Sequence, residues 1–212
     1  MKVSFSMSNF KNPRLILAST SVYRKELLGR LGIPFEVVSP KVDETPLAGE
    51  TTQTLALRLA KAKAAAVASL NPEAWVIGSD QVADLCGAAI GKPGNFERAL
   101  AQLQLMRGSI VTFHTALCLM RGDIETTVCI PTEVKFRNLK DDVLEAYLHA
   151  EEPYDCAGSA KSEGMGISLL EYMRSDDPTA LIGLPLIALS GLLRDAQLLT
   201  SASRRKYYWY ME

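Results

Sequence analysis

The side chains able to do chemistry in this chain fall into five short stretches. The first is Val76-Ile77-Gly78-Ser79-Asp80-Gln81-Val82, an apolar run that ends in one carboxylate and one amide. The run reads as a buried strand. Asp is a poor strand residue and costly to bury alone. Asp80 therefore either caps a turn at a wet strand end or meets a cation. The second stretch is Ala18-Ser19-Thr20-Ser21-Val22-Tyr23-Arg24-Lys25, where small hydroxyl residues lead into a helical pattern. Free backbone N–H groups and the helix dipole at such a start form an anion site, with Ser19 and Ser21 at its rim and Arg24 and Lys25 adding charge. Cations in a first turn oppose the dipole and are costly unless an anion lies between them. The bland alternative is a Ser-capped helix with solvated basic residues.

The third stretch, Val42-Asp43-Glu44-Thr45-Pro46, offers two adjacent carboxylates in a loop, which either ligate a hard cation or face water. On the helix that follows, Lys63 lies one turn after Leu59, at the edge of an apolar stripe and able to reach inward. The fourth, Gly91-Lys92-Pro93, holds a lysine between turn residues, suited to a phosphate. The fifth, Ala157 to Gly164, is a glycine-serine loop carrying Lys161 and Glu163. It lacks P-loop spacing, and no G-x-G-x-x-G follows a strand, so ATPase and dinucleotide-binding readings are poor.

Composition narrows the classes. The chain has 212 residues and a net charge of -1, enough for one sizeable domain and without an overall electrostatic case for nucleic acid or membrane. Two histidines, His114 and His149, leave little for zinc or histidine-based nucleophilic catalysis. The four cysteines, Cys86, Cys118, Cys129 and Cys156, form no C-x-x-C pair and read as thiols of a reducing compartment. A metal here would be Mg²⁺ or Mn²⁺ on oxygen ligands. Residues 1–13 lack a signal-peptide core and read as an extension, with Met7 an alternative start. No apolar run spans a bilayer, so a cytoplasmic protein is expected.

The elements that must position these groups alternate between strand and helix early and include a long hairpin later, which predicts a mixed α/β sheet. Strands are expected at Leu15–Ala18, Phe35–Val38, Trp75–Asp80 with a continuation to Leu85, Ala88–Lys92, Ile110–Met120, Ile124–Phe136 and Gly166–Tyr172. Helices are expected at Val22–Leu31, Thr52–Leu70 with a stripe of Leu55, Leu59, Ala62 and Ala66, Phe96–Met106 capped by Asn95, Lys140–Ala150, and Leu184–Leu193 with Pro185 in its first turn. The tail places Arg204-Arg205-Lys206 before Tyr207-Tyr208-Trp209-Tyr210. It is either a single-strand-stacking segment or a terminus packed on a partner or poorly ordered.

Together, Leu15 to Ser21 with Arg24, Val42 to Pro46, Leu59-Ala60 with Lys63-Ala64, Ile77 to Val82, Gly91-Lys92-Pro93 and Ala157-Gly158-Ser159 resemble the Maf family of nucleoside triphosphate pyrophosphatases. The resemblance runs from about Arg14 to Arg194 and divides the chain into an extension (1–13), a Maf-like domain (14–195) and a tail (196–212). It implies an inosine triphosphate pyrophosphatase-like mixed fold with two lobes around a cleft, and hydrolysis of a nucleoside triphosphate between its α- and β-phosphates. It implies Asp80 as proton acceptor, Glu44 and Asp80 on a divalent cation, Arg24, Lys63 and Lys92 on the phosphates, and a homodimer. The chemistry is sound: cations neutralise the phosphate oxygens while a carboxylate directs water, and no covalent nucleophile is needed.

Three positions resemble one branch of that family. Tyr23, Gln81 and Glu163 stand where the dTTP/UTP-hydrolysing branch has Arg, Thr and Gln, and look like the 7-methyl-GTP branch. N7-methylguanine is cationic, so the Tyr23 ring can stack on it with cation–π attraction. Glu163 can accept from its N1–H and exocyclic amine. Val22 departs from the family's usual Pro, and Lys25 from its Arg. The alternatives are a dTTP/UTP pyrophosphatase, or a septum-inhibiting protein that binds nucleotide without turnover.

Overall fold

The computed structural model describes residues 13–199. The extension short of its last residue, and the basic-aromatic segment, lie outside them. One seven-stranded mixed sheet organises the chain, from β1 (Leu15–Ala18), β2 (Glu36–Val38), β3 (Trp75–Leu85), β4 (Ala88–Ile90), β5 (Ile110–Arg121), β6 (Ile124–Phe136) and β7 (Leu170–Ser175). The order is β2-β1-β3-β5-β6-β7, with β4 hairpinned onto the far end of β3. β2, β1 and β3 run parallel, and the remaining pairs are antiparallel.

Five helices cover this sheet: α1 (Val22–Gly29), α2 (Thr52–Ala68), α3 (Phe96–Met106), α4 (Asp141–Glu151) and α5 (Leu186–Asp195). Each starts where the local chemistry allows. Ser21, Thr51 and Asn95 sit in extended conformation and accept from the backbone N–H three residues on. Side chains alternate along the strands, so each strand feeds two layers. Ile16, Ala18, Val76, Val82 and Ala116 pack under α2 on one face. On the other, Leu17, Ile77 and Leu117 pack against α1 and α5, while Ala83, Phe113 and Val134 pack against α3 and α4 further along.

Several expectations shift. The buried stripe of α2 is Leu55, Ala56, Leu59, Ala60, Lys63, Ala64 and Val67, while Ala62 and Ala66 are only half-buried. Lys63 therefore lies within the buried face rather than at its edge. α1 ends at Gly29, before Leu31. The last strand is not Gly166–Tyr172: Met165–Leu169 forms a 3-10 turn and the strand runs Leu170–Ser175. The Lys161 backbone leaves no room for a Cβ at Gly166 (2.5 Å), so that segment coils against its own loop. Pro185 precedes α5 as its N-cap residue, and the side chains of Asp177 and Thr179 accept the helix's first N–H groups at 2.6–3.3 Å. Among the described residues no helix is long and apolar enough to cross a membrane.

Two features of this framework make a site. β1 stops where Ala18 pairs with Gly78, and the β4 pairing reaches back along β3 only to Ala83, opposite Ile90, the last residue of β4. Between them, Ser79 to Val82 have no strand neighbour on that side of β3, and the gap opens at the carboxyl end of β1, next to the start of α1. Gly78 then brings α2 onto the sheet. A Cβ there would sit 2.6 Å from Ala64 N and closer still to Ala60 O. Because both partners are backbone, Gly78→Ala should destabilise the fold by about 3 kcal/mol. Urea unfolding of the variant beside the wild type measures this.

Candidate active site

A cavity of about 750 Å³ fills the gap. Asp80 projects from β3 toward α2 on the same face as Gly78, and is 7% exposed. Lys63 descends from α2 to meet it. Its Nζ lies 2.6 Å from Asp80 Oδ1 and 2.6 Å from Glu44 Oε1. The strand does not end at Asp80, so the wet-end alternative fails and the cation alternative holds. Burial pushes the Asp80 carboxyl above its usual range, and the positive charges of Lys63 and Arg24 pull it part of the way back.

Arg24 rises from the first turn of α1. Its Nε donates to Gly183 O at 2.8 Å, and burial lowers its pKa against the opposing pull of Asp80 and Glu44. Arginine stays cationic under such shifts. Ser19 Oγ accepts from Ser21 N at 3.0 Å, and Ser21 Oγ accepts from Arg24 N at 3.3 Å, so both hydroxyls shape the helix start beneath the cavity. Lys92 is exposed at the cavity wall after β4.

Gln81 points to the opposite face of β3 from Asp80. Its Nε2 donates to Thr115 Oγ1, Ala180 O and Leu181 O at 2.9–3.0 Å, and Ser79 Oγ donates to Ala116 O and Gly183 O. These bonds fix the 180–183 segment as the far wall. Gly183 has φ +119, and Arg24 Nε lies 3.5 Å from where its Cβ would be, so glycine suits this point. Tyr23 and Glu163 also line the cavity, close enough for the Glu163 charge to act on the Tyr23 hydroxyl. Burial, then Cys156, Asp155 and Glu163, push the Tyr23 hydroxyl well above its usual range, so it stays protonated.

Ser19, Ser21, Tyr23, Arg24, Glu44, Lys63, Asp80, Gln81, Lys92 and Glu163 line this one cavity, whereas Lys25 and Asp43, also singled out from the sequence, do not. The sequence reading missed the groups behind them. Arg58, on α2, grips Glu50 through Nε–Oε1 at 2.6 Å and Nη2–Oε2 at 2.8 Å, and donates to Thr45 O at 3.0 Å. Glu50 also accepts from Leu47 N at 3.0 Å. The helix that carries Lys63 thus also clamps the loop that carries Glu44. Nothing in the spacing of Glu50 and Arg58 signals the pair, because the chain turns between them.

The sequence profile of Maf-like proteins matches residues 14–196, and the chain belongs to the Maf family. Its relatives include proteins named 7-methyl-GTP pyrophosphatase. That of Cupriavidus metallidurans is 62% identical over 90% of this chain and 96% of its own. That of Bordetella avium is 60% identical over 87% and 93%, and that of Paraburkholderia xenovorans 63% over 85% and 91%. Among solved structures, the Staphylococcus aureus Ham1 protein is a distant likeness, 16% identical with a TM-score of 0.43 over 60% of this chain and 73% of its own.

The Glu50 carboxyl is held down to about 2 by the Arg58 guanidinium and the Leu47 N–H. An unfolded Glu titrates near 4.3. The folded value is the lower one, so the clamp's stabilisation is complete above about pH 5 and is lost as pH falls toward about 2. Glu50→Gln should be less stable than the wild type at neutral pH and lose less on acidification, as read by urea unfolding at neutral pH and near pH 3.

Proposed function

We propose that this protein hydrolyses 7-methyl-GTP to 7-methyl-GMP and pyrophosphate, removing a modified nucleotide from the cytoplasmic pool as a homodimer. The observation that carries the reading is the Asp80–Lys63–Glu44 cluster at the sheet gap. It sits in a chain 62% identical, over nearly the whole length of the relative, to a protein of that name.

Charge sorts the substrate along the cavity. Arg24, Lys63 and Lys92 form a cationic end for the triphosphate, with the free N–H groups at the start of α1 beside it. Tyr23 and Glu163 form the base end, an aromatic face and a carboxylate suited to a cationic purine. Asp80, buried and with its pKa raised, accepts a proton from water aimed at the α-phosphorus. The pyrophosphate leaves toward Lys92.

The donor set fits a hard divalent cation. Two carboxylates, Glu44 and Asp80, meet at Lys63, each giving it one oxygen and leaving the other for a cation beside it. Among the described residues no cluster of three or more His, Cys, Asp or Glu forms a metal site. A Mg²⁺ or Mn²⁺ would therefore draw its other ligands from phosphate and water, as Mg²⁺ commonly does. Held by these carboxylates, it would supply further neutralisation of the phosphate charge.

The test is a pyrophosphate-release panel across 7-methyl-GTP, GTP, UTP and dTTP with and without EDTA. The wild type should favour 7-methyl-GTP and lose turnover in chelator. Asp80→Asn should lose about a hundredfold to ten-thousandfold in kcat while remaining folded. Faster turnover of UTP than of 7-methyl-GTP, or wild-type rates in Asp80→Asn, would refute the reading. Tyr23→Arg with Glu163→Gln should move preference toward the pyrimidines.

A further inference from the structure

The loop that carries Glu163 is fastened from behind by a carboxylate that does not line the cavity. Glu151, at the end of α4, sends its side chain into the 161–165 turn. Its Oε2 accepts from Met165 N at 2.7 Å and its Oε1 pairs with Lys161 Nζ at 3.3 Å. The fit is close, since a Cβ on Gly164 would sit 2.6 Å from Glu151 Oε2. Tyr147, one turn earlier on α4, accepts from Lys161 N at 3.0 Å through its hydroxyl. The Glu151 side chain is 16% accessible, and the Met165 N–H, then Lys161, hold its pKa down. It is therefore an anion at neutral pH.

Lys161 is the reason this matters for the site. Its Nζ lies over the Tyr23 ring, 5.7 Å from the centroid, at the base end of the cavity. An uncompensated ammonium there would repel a cationic base that stacks on Tyr23 and would compete for the same ring. Glu151 is the carboxylate paired with it.

We infer that Glu151 is a positioning residue for base selectivity: it neutralises Lys161 beside Tyr23 and fixes the loop that presents Glu163, so that the base end accepts a positively charged purine. The inference rests on the 7-methyl-GTP reading above. Two charges about 6 Å apart in a partly screened site interact strongly enough to change affinity about tenfold. A neutral base is indifferent to that charge.

Glu151→Gln separates the two roles. The amide oxygen can still accept from Met165 N, but the charge on Lys161 is left unpaired. KM values for 7-methyl-GTP and GTP, measured at mildly acidic pH where the methylated base keeps its charge, should respond differently. KM for 7-methyl-GTP should rise about tenfold, with that for GTP and both kcat values within about twofold of wild type. Lys161→Met added to Glu151→Gln should restore the wild-type ratio of the two KM values, a rescue that a merely structural role would not give. Equal loss on both nucleotides, or no rescue in the double variant, overturns the inference while leaving the activity standing. A wild type that turns over neither nucleotide overturns the activity itself and the inference with it. Thermal unfolding of each variant identifies a misfolded one, in which case Lys161→Met alone carries the test and should lower KM for 7-methyl-GTP but not for GTP.

Discussion

A buried lysine is the constraint around which this structure is arranged. Lys63 is 6% exposed and lies within the apolar face of α2. An ammonium in such a place is costly unless compensated by close carboxylates. Asp80 and Glu44 supply that compensation, each 2.6 Å away. The dependence is mutual. Asp80, nearly as buried, would hold its proton more tightly without Lys63 and Arg24 beside it. The cluster therefore stores a carboxylate that is desolvated, held by two cations and aimed into a cavity, the kind of perturbed group that marks functional sites.

The rest of the fold serves that arrangement by controlling approach. Gly78 lets the backbone of α2 lie against β3, which sets how far Lys63 must reach. The mismatch between a four-residue β1 and an eleven-residue β3 leaves the gap beside Asp80. Arg58 and Glu50 hold the Glu44 loop from the same helix. Asp177, buried among the residues before α5, caps that helix and so steadies the carbonyls that Gln81, Ser79 and Arg24 use. Glu151 likewise fastens the loop that carries Glu163, through Lys161 and Met165 N. Arg58, Asp177 and Glu151 are thus charged groups behind the cavity that fix segments lining it.

Much of this was legible from local pattern. The strand Leu15–Ala18, the helix Phe96–Met106 with its Asn95 cap and the strand Ile124–Phe136 lie where composition placed them. Periodicity, caps and turn residues act within a few residues, so one sequence displays them. What was not legible depends on contacts across the fold. Met165 to Leu169 alternates like a strand but coils, because Gly166 must pass the Lys161 backbone. Lys63 looked like an edge residue because the stripe drawn through Ala62 and Ala66 was rotated away from the true buried face. The motif residues converge on one cavity as the family resemblance implied. Glu50, Arg58 and Glu151 escaped because neither a motif nor a helical period joins them to what they hold.

The ion pair predicts that Lys63 and Asp80 act as one unit. The most direct measurement is a double-mutant cycle on kcat/KM for 7-methyl-GTP, using Lys63→Met, Asp80→Asn and the two combined. Residues that act as a unit are strongly non-additive. The double variant should be no slower than the worse single variant, to within about threefold. Losses that multiply in the double variant, or near-wild-type turnover by Lys63→Met, would show that the two residues act independently.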